Sequence, residues 1–186
     1  MLQQEYTSFD TRIGVLAIAW TVKGISAVQL PEANPADTLE VLKSRLSKSA
    51  IEAAAPSFVR EAIALIKLHL EGKTQEFTRL RLDFSGVGDF AKKVYIESIK
   101  IPSGSVITYG ELAARVGSPQ AARAVGRALG SNPIPIIVPC HRIIGKNGNM
   151  TGFSSFGGCD TKMRLLSIEH ALASDRVARE VLAGRS

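Results

Sequence analysis

Glycine and proline divide the second half of this 186-residue chain into short segments more sharply than any other feature. Pro102 ends an amphipathic stretch that begins at Asp89, and Gly117 ends a second stretch. The second stretch opens with Thr108 and Glu111, at the spacing of a capping box, in which two side chains satisfy each other's backbone donors. The sequence therefore predicts a helix from Asp89 and then two shorter helices joined by a turn at Gly117, which is a helix-turn-helix pattern.

The helix predicted after Gly117 has an unusual composition. Ser118 and Pro119 are typical of a helix start, and the stretch continues to about Leu129 with small side chains and two arginines. Gly126 in its middle costs about 1 kcal/mol of helix stability relative to alanine. A thin helix with arginines fits a nucleic-acid groove, and close packing against another helix of the same domain is the alternative.

The first half indicates a small α/β domain. Its predicted elements are two strands at 12–20 and 24–30, a helix that opens at Asp37, a helix from Ser57 to Gly72 and a strand from Phe77 to Phe84. The glycine-containing segment Ser85–Gly88 is the predicted linker. We therefore expect two domains, a scaffold at 1–84 and a helix-turn-helix domain at 85–186.

The net charge of +6 lies entirely in the second of these domains. Residues 1–84 carry 10 basic and 10 acidic side chains, and residues 85–186 carry 13 and 7. This segregation predicts a polyanion such as DNA as the partner of the second half, and a merely basic surface is the alternative.

The sequence also limits where the protein works. No apolar run approaches the ~20 residues of a membrane span, and the N-terminus lacks the pattern of a signal peptide. Two cysteines do not make a disulfide framework. We expect a cytoplasmic protein with free thiols and no membrane partner.

One short segment carries the candidate chemistry. An apolar run at 134–138, bounded by prolines and predicted as a strand, leads into Cys140, His141 and Arg142. An imidazole and a guanidinium can lower the pKa of a neighbouring thiol. Adjacent residues of an extended chain point to opposite faces, so a bridging water between Cys140 and His141 is expected unless the chain turns. A buried structural cysteine is the alternative.

A carboxylate far along the chain is a candidate third member. Glu169 lies in the apolar stripe of a predicted helix from Lys162 to about Leu172. If it faces the core it needs a partner, and His141 would complete a nucleophile–base–orienter arrangement. If Glu169 only flanks the stripe, it stays in contact with water.

At these residues the chain resembles the O6-alkylguanine-DNA alkyltransferases. The resemblance covers about residues 89 to 170, and the Pro-Cys-His-Arg core is its most specific part. The matching segments are Phe90, 101–104, 108–113, 121–126, 132–133, 138–144, Lys162, 165–166 and Glu169.

The resemblance implies a fold and an activity. The fold is a ribonuclease-H-like α/β domain followed by a mainly α, winged helix-turn-helix-like domain that binds DNA. The activity is irreversible transfer of an alkyl group from O6 of guanine, with O4 of thymine as a second candidate atom, to Cys140. The damaged nucleotide is flipped out of the duplex, and each molecule acts once.

The resemblance also assigns residues to roles. Cys140 is the acceptor, His141 its base through water, Glu169 the residue behind the base, and Asn132 a brace of the active-site turn. Tyr109 crowds the target phosphate and Arg123 fills the vacated space in the base stack. The other residues expected to meet substrate or DNA are Ala121, Ala122, Ala124, Gly126, Arg142, Phe153 and Ser154. Phe153 departs from the family, which usually has a tyrosine there.

The expected partner is double-stranded DNA that carries O6-alkylguanine, bound by a monomer without cofactor or metal, with association to the nucleoid if the source is bacterial. Three other functions compete. A module that binds alkylated bases without repair would lack Cys140, and an ordinary transcription regulator would carry polar base-reading side chains on the thin helix. A cysteine hydrolase would need an oxyanion hole and turnover.

Overall fold

The computed structural model describes residues 2–146 and 158–170. The chain divides into two compact units, which we call unit 1 and unit 2. Unit 1 comprises Met1–Gly86 and Pro133–Pro135, and unit 2 comprises Val87–Asn132 and Ile136–Ser186. The short return of the chain to unit 1 just before the Cys140 segment had no signal in the sequence.

Unit 1 is built on a four-stranded sheet. Its strands are β1 (Glu5–Thr11), β2 (Gly14–Thr21), β3 (Gly24–Gln29) and β4 (Ile51–Glu52), in the order β3-β2-β1-β4. The predicted hairpin of β2 and β3 is confirmed, whereas β1 and β4 were not predicted. The strand predicted from Phe77 to Phe84 was wrong, because only Leu82 bridges to the sheet, at Ile25.

Two helices cover this sheet, α1 (Pro35–Arg45) and α2 (Ser57–Leu70). Leu42 of α1 packs in a core cluster with Tyr6 and with small side chains of β2 and β3. Residues 16–20 of β2 are all buried. Because side chains alternate along a strand, both faces of β2 are therefore covered.

Unit 2 is mainly helical. It contains α3 (Asp89–Ile99), β5 (Ile107–Thr108), α4 (Tyr109–Arg115), α5 (Ala122–Gly130), a short 3-10 helix (Cys140–Arg142), β6 (Ile143–Ile144) and α6 (Gly158–Ile168). Strands β5 and β6 pair in parallel. The capping box of Thr108 and Glu111 is confirmed at the start of α4.

The helix predicted from Ser118 begins later. Its first residue is Ala122, and Ala121 at the cap provides no side-chain hydrogen bond. The carbonyl of Ser118 instead accepts from Ala121 N–H, so residues 118–121 form a turn. Serine and proline there extend the connection between α4 and α5 by a few residues.

No helix within residues 2–146 and 158–170 is long and apolar enough to cross a membrane. The same part of the chain holds no group of three or more histidine, cysteine, aspartate and glutamate side chains that could bind a metal ion.

Candidate active site

Cys140 is presented by a turn and not by a strand. Ile136 has a φ of 72°, in the left-handed region, where a β-branched residue costs roughly 1–3 kcal/mol. Pro139 has no N–H, and the 3-10 helix follows, with Arg142 N–H donating to Pro139 O at 2.9 Å. The predicted strand at 134–138 was therefore wrong, because prolines and a strained turn interrupt it.

His141 and Glu169 are in direct contact. His141 Nε2 lies 2.7 Å from Glu169 Oε1, and the exposed fractions of the two residues are 0% and 2%. Glu169 follows the last residue of α6, and its backbone N–H donates to Leu165 O at 3.1 Å. The alternative in which Glu169 stays wet is excluded. Because a carboxylate only accepts, Nε2 carries the proton and Nδ1 is the basic nitrogen.

The position of Arg142 differs from the expectation that this side chain contacts substrate or DNA. Its exposed fraction is 3%, and Nε and Nη2 donate to the two oxygens of Glu169 at 3.0 and 2.8 Å. Nη1 donates to the backbone carbonyl of Ile101. The turn at Cys140–Arg142 directs this guanidinium inward, so it is the third member of a buried cluster with His141 and Glu169.

Opposing influences act on the Cys140 thiol. Burial raises its pKa, while a hydrogen bond from the Asn132 side chain and the charge of Lys162 lower it. Asn132 Nδ2 also donates to Val138 O at 2.9 Å. Asn132 thus contacts both the turn and the thiol, and the net effect is a pKa above the ordinary value of 9.0.

Lys162 is a site residue that sequence reasoning missed. It is buried, its Nζ donates to Ile143 O at 2.6 Å, and burial lowers its pKa from 10.5 to about 8. Its Nζ also lies 6.0 Å from the centroid of the Tyr109 ring. A signal existed, because Lys162 lies three residues before Leu165 and seven before Glu169, on the same helix face.

The pair of helices α4 and α5 places Tyr109 beside Gly126. A Cβ atom added at Gly126 would lie 3.8 Å from Tyr109 Cε1, an ordinary contact, so this helix interface does not by itself require glycine. Arg123 is exposed on α5, and Ala121, Ala122 and Ala124 are half-buried around it. Within the described ranges Arg123 forms no ion pair.

Two predicted site residues, Phe153 and Ser154, lie outside the described residues. Cys159 lies in the first turn of α6 and is exposed, and Cys140 is buried. Among the described residues neither cysteine forms a disulfide, as expected from the sequence.

Comparison with known proteins places this geometry in a family. The family model described as "6-O-methylguanine DNA methyltransferase, DNA binding domain" matches residues 89–171. A methylated-DNA–protein-cysteine methyltransferase of Mycolicibacterium paratuberculosis is 35% identical, and the alignment covers 91% of this chain and 96% of that protein. A protein of the same name from Methanosarcina acetivorans is 37% identical, with 88% and 97% covered.

Two solved structures are similar to this chain over most of its length. The crystal structure of Mycobacterium tuberculosis OGT in complex with DNA has a TM-score of 0.73 at 34% identity, covering 90% of this chain and 93% of that one. The O6-methylguanine-DNA methyltransferase of Pyrococcus kodakaraensis has a TM-score of 0.62 at 28% identity, covering 90% and 99%. Because sequence and structure match over nearly the full length of these proteins, this chain belongs to the methylated-DNA–protein-cysteine methyltransferase family.

Proposed function

We propose that this protein repairs double-stranded DNA by moving an alkyl group from O6 of guanine to Cys140. The observation that carries the proposal is the contact of His141 with buried Glu169, next to the one thiol of the Pro-Cys-His-Arg segment. Family membership and the relatives' printed name support it.

The chemistry is a displacement at the alkyl carbon. Nδ1 of His141 accepts the Cys140 proton through a water, and Glu169 accepts from Nε2 and stabilises the resulting cation. The thiolate attacks the alkyl carbon, so an S–C bond forms and the C–O6 bond breaks. The electron pair stays on guanine, which takes up a proton. The product thioether is stable, so each molecule acts once.

Asn132 and Lys162 serve the charged state of the nucleophile in this scheme. Both lower the pKa of Cys140 against the effect of burial. Their contribution therefore grows as the thiolate forms, which is where an interaction accelerates a reaction.

The DNA-binding part of the proposal rests on unit 2. We assign α4 and α5 to a winged helix-turn-helix-like domain at 85–186, with unit 1 as a ribonuclease-H-like scaffold. The thin helix α5 enters the minor groove with Ala121, Ala122, Ala124 and Gly126 toward the DNA. Tyr109 crowds the phosphate of the target nucleotide, and exposed Arg123 enters the stack that the flipped base leaves. The basic excess of residues 85–186 supports this assignment.

The remaining assignments concern the substrate. We assign Phe153 to stacking on the extruded base and Ser154 to contact with the substrate, and O4 of alkylated thymine is a second substrate atom. We propose that the protein acts as a monomer on DNA, because one chain carries both the nucleophile and the base.

Intact-protein mass spectrometry tests the function. The protein is incubated with a duplex that contains one O6-methylguanine, and peptide mapping locates any added methyl group. One methyl on Cys140, matched by loss of one methyl from the DNA, is the expected result. A protein that binds this duplex but gains no mass would be a recognition module, and a methyl on exposed Cys159 alone would contradict the assignment.

A further inference from the structure

The proposed mechanism gives no task to Arg142, although this side chain is buried and holds the catalytic carboxylate. A buried guanidinium costs free energy unless it is paired and hydrogen-bonded. Arg142 meets that condition through Glu169 and through the carbonyl of Ile101, just beyond α3. It therefore connects the Cys140 turn to α6 and to the segment after α3.

The same carboxylate oxygen faces two donors. Glu169 Oε1 is 2.7 Å from His141 Nε2 and 2.8 Å from Arg142 Nη2. If Glu169 had only the imidazole, a proton on His141 would be favoured, because it would form a neutral buried ion pair. With Arg142 present, the charge of Glu169 is already partly balanced, so a cation on His141 gains less stabilisation than it would beside an unpaired carboxylate.

We propose that Arg142 is a positioning residue that neutralises Glu169 and so keeps His141 unprotonated, ready to accept the Cys140 proton at neutral pH. The inference rests on the proposed roles of Cys140 and His141. It adds that the charge of Arg142, and not only its shape, sets the pH range in which the thiol reacts.

None of the other ionisable groups near this cluster can take the role of balancing the charge of Glu169. Cys140 lies in the same turn as Arg142. Lys162 of α6, Tyr95 of α3 and Tyr109 of α4 interact with Cys140. Burial raises the pKa of Tyr95 to about 12, and burial also raises the pKa of Tyr109, so both stay neutral. Lys162 donates to Ile143 O, whereas Arg142 is the cation on Glu169 itself.

The test measures how fast iodoacetamide alkylates Cys140 between pH 5 and pH 9, by intact mass, in a Cys159→Ser background. Iodoacetamide needs neither DNA nor base flipping, so a failure here is distinct from a failure of the repair function. Arg142→Met removes the charge and Arg142→Lys keeps it. We expect Arg142→Met to raise the low-pH midpoint of the rate by about one pH unit or more, and Arg142→Lys to stay near the wild type.

Each outcome decides the proposal. An unchanged midpoint in folded Arg142→Met overturns it, and so does an equal shift in Arg142→Lys, because the charge would then be irrelevant. If Arg142→Met does not fold, the comparison is between Glu169→Gln and the double variant Arg142→Met/Glu169→Gln, which buries no unpaired charge. A higher midpoint in the double variant supports the role of the Arg142 charge, and equal midpoints overturn it.

Discussion

In unit 1 the buried polar side chains bond to nearby turns, whereas in unit 2 His141, Arg142 and Glu169 bond to one another and Lys162 lies close enough to Cys140 to lower its pKa. Asp83 accepts from Thr21 and Ser85, and His69 Nδ1 accepts from the backbone N–H of Gln75. Each of these contacts fastens a turn to the unit 1 sheet or to α2. Arg142, Glu169, His141 and Lys162 instead lie within hydrogen-bonding or Coulomb range of each other or of Cys140.

The comparison indicates that buried polar groups serve two different purposes in this protein. A neutral or locally bonded group in unit 1 contributes to stability. A charged group in unit 2 costs desolvation free energy, and in the proposed mechanism the charge serves the reactivity of a neighbouring group. Four experiments can break or sharpen this distinction.

Cys140→Ser has the largest expected effect. A serine hydroxyl is scarcely ionised at neutral pH, so alkyl transfer from O6-methylguanine DNA should be abolished. Binding to the same duplex should stay nearly unchanged, because the substitution removes no positive charge. Cys159→Ser is the matched control and should transfer methyl at the wild-type rate. Transfer that persists in Cys140→Ser would show that another residue is the acceptor.

A pair of carboxylate substitutions compares the units directly. Glu169→Gln should slow methyl transfer on the order of 100-fold, because an amide cannot stabilise the imidazolium as a carboxylate does. Asp83→Asn should leave the rate unchanged and lower the free energy of unfolding by roughly 1–3 kcal/mol, because it weakens the bonds from Thr21 and Ser85.

Single-turnover rates and urea unfolding measured on both variants separate these effects. Burial alone would raise the pKa of Asp83, but hydrogen bonds from Ser85 and Thr21 lower it below 3.8, so the group is ionised throughout this measurement. The proposed difference between the units would be contradicted if Asp83→Asn slowed methyl transfer. It would also be contradicted if Glu169→Gln lowered the free energy of unfolding but left the methyl-transfer rate unchanged.

The pH dependence of stability measures what it costs to bury the charge of Lys162. Burial lowers its pKa from 10.5 to about 8, so between these values the unfolded chain binds more protons than the folded one. The contribution of Lys162 to the free energy of unfolding should therefore rise with pH in this window, by about 2 kcal/mol from pH 7 to pH 9.5, against the opposite contribution of Cys140, whose pKa is raised in the folded protein. Lys162→Met cannot bind the proton and should lack this rise.

Urea unfolding at several pH values, on wild type and Lys162→Met, measures the difference. A similar pH slope in both proteins would assign the dependence to other groups. Tyr95 limits the range, because burial raises its pKa to about 12 and destabilises the folded state once free tyrosine ionises near pH 10.

Local rules predicted the parts of the fold that depend on neighbours in sequence. The capping box of Thr108 and Glu111 needs four residues and was confirmed. The strands predicted at 77–84 and 134–138 were wrong because apolar alternation does not tell whether a partner strand is within reach. Nothing local indicates that Ile136 has a positive φ, which depends on the fold around it.

The site shows the same limit. The proposed nucleophile and base, Cys140 and His141, come from a short segment and a family resemblance, and Glu169 from its place in an apolar stripe. Arg142 was assigned to substrate or DNA only through the family resemblance. Its burial is decided by the turn at Cys140 and by a carboxylate 27 residues away, a pairing that only the folded chain brings together.

Substitution of Arg123 has the smallest expected effect, and it tests whether the exposed charges of the two units also differ in function. Arg123 is the second residue of α5, is exposed and forms no ion pair among the described residues. Flipping a nucleotide costs a few kcal/mol of stacking and pairing, and an inserted side chain offsets part of that cost. Arg123→Ala should therefore slow methyl transfer from a duplex about tenfold, which corresponds to about 1.4 kcal/mol. Alkylation by free O6-benzylguanine, which has no stack to leave, should keep its rate.

The matched control is Arg45→Ala, which removes the same charge from an exposed position in the last turn of α1, in unit 1. It should change neither rate, because a uniform loss of attraction to DNA would weaken binding without a specific effect on flipping. Both rates are measured with DNA in excess, so that weaker binding does not lower the observed rate. If Arg123→Ala slows both substrates equally, Arg123 maintains α5 and has no part in flipping. If Arg45→Ala slows the duplex reaction as much as Arg123→Ala, the exposed charges of the two units are equivalent, and the difference between the units is confined to their buried groups.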